Sequence, residues 1–171
     1  MTIDPAVIAD FGKSIGVNAF MNTRWGWPTI ESIHFTCLTL LLGTVGLFDL
    51  RILGIGRGVS MAVLHRLVPI GVVAYLGSIL TGSMFILTMA NQYVFNPAFQ
   101  LKLLFMAIAG VNTAVFYLVA ARAVNAAGPD EEAPLAAKII AVISLLSWTA
   151  VIILGRVITL FRPPFHWCPW C

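Results

Sequence analysis

Charge is what this chain has least of. No Asp, Glu, Lys or Arg occurs between Leu67 and Leu101, and further uncharged runs cover Phe35 to Phe48, Leu103 to Ala121 and Ile139 to Gly155. Charged residues make up 10% of the 171 positions and hydrophobic residues 60%, with a mean hydropathy of +0.95. Soluble domains carry about a quarter charged residues, so an ordinary soluble domain is excluded. A spanning helix needs about 20 mostly apolar residues to cross roughly 30 Å of hydrocarbon, and the four runs supply four such helices. The net charge of +3 comes from cations scattered at the ends of the runs, which is no nucleic-acid footprint. Hydrolytic triads, phosphate-binding loops and the symmetric repeats of a transporter are also lacking. The opening MTIDPAVIADFG has no basic segment, so the first span is expected to direct insertion itself.

What remains is an all-α plan: an integral-membrane, up-down four-helix bundle behind an N-terminal interfacial amphipathic helix. Residues Pro5 to Asn22 read as that surface helix, with Val7, Ile8, Phe11 and Ile15 at helical spacing. Residues 1–28 form this helix and a Trp-rich entry, Arg24-Trp25-Gly26-Trp27-Pro28, of interfacial type. The bundle occupies 29–161, with spans expected near 29–53, 62–90, 98–124 and 135–161. A Pro/Trp/Cys tail covers 162–171. Short connections make consecutive spans antiparallel neighbours. Ser78-x-x-x-Gly82 and Thr39-x-x-x-Gly43 are read as packing positions between helices.

Cations set the expected orientation. Arg51, Arg57, Arg66, Arg122 and Lys138 flank the connections after spans one and three, against Lys13, Arg24 and Arg162 at the other face. The positive-inside rule then places both termini in the periplasm of a bacterial inner membrane. Beyond the lipid bilayer, other membrane subunits or further copies of the chain are the expected partners.

The polar residues inside the spans carry the functional argument, because each is costly in hydrocarbon. Folding the chain about residue 58, then near 93–94, then near 129, brings Glu31, Phe85, Lys102 and Arg156 to one level. His34 lies one turn deeper on the Glu31 face, and Met84 comes to nearly the same depth. One reading is a structural ion-pair cluster tying three helices together. The other notes that two cations against one carboxylate leave the layer positive, so a ligand anion such as a haem propionate would balance it. His34 would then meet a haem b iron, with Met84 as a second axial ligand. His65 lies at the opposite end, level with Arg51; His34 and Arg51 are 17 positions apart, or roughly 26 Å at about 1.5 Å per residue. One iron therefore does not bind both histidines, and His65 reads as interfacial. Asp49 and Arg51 are expected to pair.

The tail His166-Trp167-Cys168-Pro169-Trp170-Cys171 puts its histidine before the cysteine pair, the reverse of a c-type haem site. A small disulfide loop, a Trp anchor, or soft-metal binding by His166, Cys168 and Cys171 are its readings. Cys37 reads as packing.

Several stretches together resemble a family of small bacterial four-span membrane proteins catalogued as a domain of unknown function. They are Trp27-Pro28-Thr29-Ile30-Glu31-Ser32-Ile33-His34, Asp49-Leu50-Arg51-Ile52-Leu53-Gly54, Asn96-Pro97-Ala98-Phe99-Gln100-Leu101-Lys102-Leu103, Gly110-Val111-Asn112, Trp148 and Gly155-Arg156. Such proteins look distantly like four-helix b-type cytochromes and copper-resistance membrane proteins, an analogy of architecture. The tail departs from that pattern. Two functions follow: a redox or ligand-binding membrane protein with haem b or a quinone-like molecule near His34, Lys102 and Arg156, or a non-catalytic accessory subunit of a larger complex.

Overall fold

The computed structural model describes residues 4–128 and 131–161, so the expectations for Arg162, His166, Cys168 and Cys171 lie outside the described residues. Four helical stretches long and apolar enough to cross a bilayer run Gly26–Ile52, Met61–Thr88, Pro97–Val119 and Leu135–Phe161. The chain is a multi-pass, all-α four-helix bundle, and no strand occurs among the described residues.

Helices α1 (Pro5–Ser14) and α2 (Val17–Met21) precede the bundle. A single helix was expected over Pro5 to Asn22; Gly16, at φ 78°, breaks it in a left-handed conformation that only glycine adopts freely. At ten residues α1 is too short to span. It lies against the end of the second span, where Gly12 meets the backbone of Leu87 so closely that a Cβ would stand 2.6 Å from the Leu87 carbonyl oxygen. Val7, Phe11 and Ile15 face outward on its other side.

Span one is α3 (Gly26–Ile52), which begins inside the Trp-rich entry. Span two is jointed into α4 (Met61–His65) and α5 (Val68–Thr88). Pro69 accounts for the joint, because its ring lacks the N–H for a helical bond and clashes with the carbonyl four residues back, that of His65. The expected turn over Asn91 to Pro97 holds a short helix, α6 (Ala90–Tyr93). Asn96 then caps α7 (Pro97–Val119): its Oδ1 accepts from the Ala98 and Phe99 amides at 3.1 and 3.2 Å. Span three breaks at Ala120 and resumes as α8 (Ala121–Ala126). Span four is α9 (Leu135–Val157), closed by a 3₁₀ turn over Ile158–Phe161.

The bundle is two tight hairpins. In the first, α3 packs along α5, and His34, Cys37 and Thr44 lie over Gly82, Gly77 and Gly71. That pairing matches a fold about residue 58, and it gives Cys37 the packing role expected of it. In the second, α7 packs along α9. Buried Asn112 and Asn96 donate from Nδ2 to the Ile140 and Ile158 carbonyls, each at 3.0 Å. These bonds set a register roughly one to two turns from that of a fold near residue 129. Gly43 meets nothing within 4 Å, so Thr39-x-x-x-Gly43 is no packing seam.

The end holding Arg51 is filled by Phe48, Ile52, Met61, Phe116, Val124 and Ala137, among others. Here one expectation is corrected: Arg51 does not pair with Asp49. Residues two apart on a helix point to different sides, and Arg51 Nε donates instead to the Val59 carbonyl at 2.6 Å, with a terminal nitrogen 3.3 Å from the Arg57 carbonyl. Gly54 and Gly56, both at positive φ, turn that loop back over the guanidinium. Outside it, Glu132 accepts from Arg57 and Lys138, each at 2.7 Å.

Candidate functional site

Between the two hairpins lies a cavity of about 1170 Å³, walled by all four spans and extending along α3 from Trp27 to Leu50. Its wall is mostly aliphatic and aromatic, and its only charged members are Glu31, Lys102 and Arg156. His34 lines it too. Glu31, His34, Lys102 and Arg156, carried on spans one, three and four, are therefore present on the wall of one cavity.

The expected ion pair is not. Glu31 forms no salt bridge with either cation; the ion pairs among the described residues are Lys13–Asp10, Arg57–Glu132 and Lys138–Glu132. Lys102 reaches across to α9 instead, its Nζ 3.5 Å from where a Cβ on Gly155 would stand. That glycine makes room for the lysine head. The layer keeps two cations and one carboxylate, all without close ionic partners among the described residues.

His34 is held by a neighbour that the sequence did not announce. Its Nδ1 lies 2.8 Å from Thr81 Oγ1. The single hydroxyl proton of Thr81 is directed to the Gly77 carbonyl at 2.8 Å, so we assign the Nδ1–H of His34 as donor to Thr81. Nε2 then carries the lone pair. A ring nitrogen oriented this way through its opposite nitrogen is the arrangement that metal-binding histidines use. Phe85 stands edge-on to the imidazole at 5.7 Å and packs on Trp27 at 5.0 Å, closing the wall beside it.

Two further polar atoms of this wall lack hydrogen-bond partners, Ser78 Oγ and Gln92 Nε2. With Lys102 and Arg156, the cavity offers more donors than acceptors. Met84, expected beside His34, is not among the lining residues; its carbonyl accepts from Thr88 within α5. No cluster of three or more His, Cys, Asp or Glu suited to a metal ion occurs among the described residues. His65 is at the far end, its Nε2 3.2 Å from the Tyr117 hydroxyl and its ring among Phe48 and Phe116.

Tyr75 and Trp148 form a pair that their spacing in the sequence does not predict. Their rings meet edge-to-face at 5.6 Å, and both line this cavity and a smaller one beyond it. They form part of the wall shared by the two cavities, while the larger one continues beside the smaller along another face of α3. No family model matches the chain, and no curated protein or solved structure matches it either.

Proposed function

We propose that this protein binds an acceptor-rich, largely apolar ligand in the cavity between its hairpins, and that the ligand is a redox cofactor of the haem b or quinone type. The observation that carries the reading is the pair Lys102 and Arg156, without carboxylate partners among the described residues, on the wall of a large, mostly apolar cavity beside an oriented histidine. Arg156 is exposed, but Lys102 is partly buried, and leaving a charge uncompensated inside a protein is costly. An anionic head group offsets that cost.

The residues fit a b-type haem in three respects. Lys102 and Arg156 match its two carboxylates in number and sign. His34 offers Nε2, with Thr81 fixing the tautomer. Trp27 and Phe85 keep water from that side of the imidazole. When bound, the haem would supply reversible one-electron transfer. A quinone-like ligand would use the same donors on its carbonyl oxygens, with Gln92 as a further donor. The likeness to four-helix cytochromes belongs to this proposal and agrees with it in architecture.

The purified protein is tested by its visible spectrum with and without dithionite, and by solvent extraction with mass spectrometry. A Soret band that sharpens on reduction, lost in His34→Ala and kept in His65→Ala, supports haem. An extracted quinone without a Soret band supports the second ligand. A colourless protein that yields neither overturns the proposal and favours a non-catalytic accessory subunit.

We also propose a bacterial inner-membrane setting with both termini periplasmic. The cation balance between the two faces supports it. A C-terminal alkaline phosphatase fusion should be active; an inactive one beside a fluorescent cytoplasmic reporter fusion reverses the topology.

A further inference from the structure

Sharing the Tyr75–Trp148 wall with the large cavity, and on another face of α3, is a second cavity of about 200 Å³ between α3, α5, α7 and α9. It differs from the first in chemistry. Its wall carries one charge, the carboxylate of Asp49, and the rings of Phe48, Tyr75, Phe116, Tyr117 and Trp148. Asp49 is 6% exposed; Ser144 hydrogen-bonds its carboxyl, but among the described residues its Oδ2 has no hydrogen-bond partner and it belongs to none of the ion pairs. Arg51, two residues on, is turned to the loop carbonyls.

Two neutral polar groups of the wall, besides Ser144, add acceptors. Asn112 spends an Nδ2 proton on the Ile140 carbonyl, and Thr113 its hydroxyl proton on the Ala109 carbonyl. Their oxygens remain as acceptors. Aromatic faces attract cations through the ring quadrupole, and a buried carboxylate needs both a counter-charge and a donor. A protonated amine supplies both at once.

Size selects among amines. An engineered apolar cavity of about 150 Å³ takes up benzene, so about 200 Å³ holds one aromatic ring with a short arm. Along α3 the wall runs from Leu41 to Asp49, about 12 Å at about 1.5 Å per residue, which is the length of an arylalkyl amine. We propose that this cavity binds a small arylalkyl ammonium ion, its nitrogen at Asp49 and its ring toward Tyr75 and Trp148. The site is independent of the ligand in the larger cavity.

Equilibrium dialysis of the full chain in detergent tests it, with phenethylammonium and its neutral isostere phenethyl alcohol at neutral pH. Phenethylammonium should saturate a single site and bind roughly tenfold or more tightly than the alcohol. Asp49→Asn should abolish that preference, both ligands then binding alike. Lys102→Met, which alters only the other cavity, should leave the preference intact. Equal affinity of the two ligands for the unaltered protein overturns the proposal, and does so even if Asp49→Asn fails to fold. An unchanged preference in a folded Asp49→Asn, or its loss in Lys102→Met, overturns it as well.

Discussion

At one end of this bundle Arg51 is 2% exposed yet engaged by the Val59 and Arg57 carbonyls; at the other, Lys102 and Arg156 face a cavity with no ionic partner among the described residues. Both ends carry cations at the margins of long apolar helices. Around Arg51 the chain supplies its own acceptors, a glycine-turned loop, and the surrounding side chains close into a packed core. Around Lys102 it supplies no ionic partner among the described residues, and a cavity lies between the hairpins. The difference teaches where to look for a ligand: a protein satisfies the charges that hold it together and leaves open those that hold something else.

The largest expected effect comes from exchanging these two cations for an uncharged residue. Arg51→Met removes the guanidinium and leaves buried loop carbonyls without donors, which costs roughly 3 kcal/mol. Lys102→Met removes a cation without an ionic partner among the described residues, so the ligand-free protein should lose less than about 1 kcal/mol or gain stability. Thermal unfolding in one detergent compares them. Equal losses would mean that Lys102 is structurally paired and would dissolve the contrast between the ends.

A smaller effect sharpens the same contrast between packed and hollow regions. A Cβ on Gly71 would stand 2.5 Å from Thr44 Oγ1 and 3.0 Å from Val45 Cγ2, within the α3–α5 seam. Gly71→Ala should therefore cost about 1–3 kcal/mol by overpacking. Gly43, on the wall of the large cavity, meets nothing. Gly43→Ala should be neutral or stabilising by up to about 1 kcal/mol through helix propensity. If Gly43→Ala destabilised as much as Gly71→Ala, the open space beside Gly43 would be occupied in the membrane.

How much of this was legible in the sequence follows the reach of each signal. Run lengths free of charge give the spans, because hydrocarbon thickness fixes what a helix must supply. Hairpin geometry then brings Glu31, His34, Lys102 and Arg156 to one cavity, since short loops leave little freedom of register. Contacts within a level were harder. Nothing in the spacing says that Thr81 orients His34, that Asn112 bonds the Ile140 carbonyl, or that Tyr75 meets Trp148, because each depends on the rotation of two helices about their axes. Asp49 and Arg51 do not pair for a related reason: near in sequence, their side chains leave the helix in different directions. Cavities are the least legible feature, being the residue of packing across four helices at once.

The smallest expected effect lies outside the spans, at the satisfied end. Glu132 sits in the loop before α9, with Lys138 hydrogen-bonded to it and Arg57 on its other oxygen. The Lys138 bond and charge, then the Arg57 charge, hold its carboxyl below the ordinary value of 4.5. A lowered value in the folded state means that the contribution to stability is present above 4.5 and is lost as pH falls through the folded-state value. Unfolding midpoints followed from about pH 6 down to about pH 3 should therefore fall more steeply for the unaltered chain than for Glu132→Gln. Because all three groups are largely or partly exposed, salt should narrow the gap between the two curves. A gap that survives high salt would show that the loop is tied to the bundle by more than these charges, and a gap of the opposite sign would mean that Glu132 is better neutral than ionised in the folded protein.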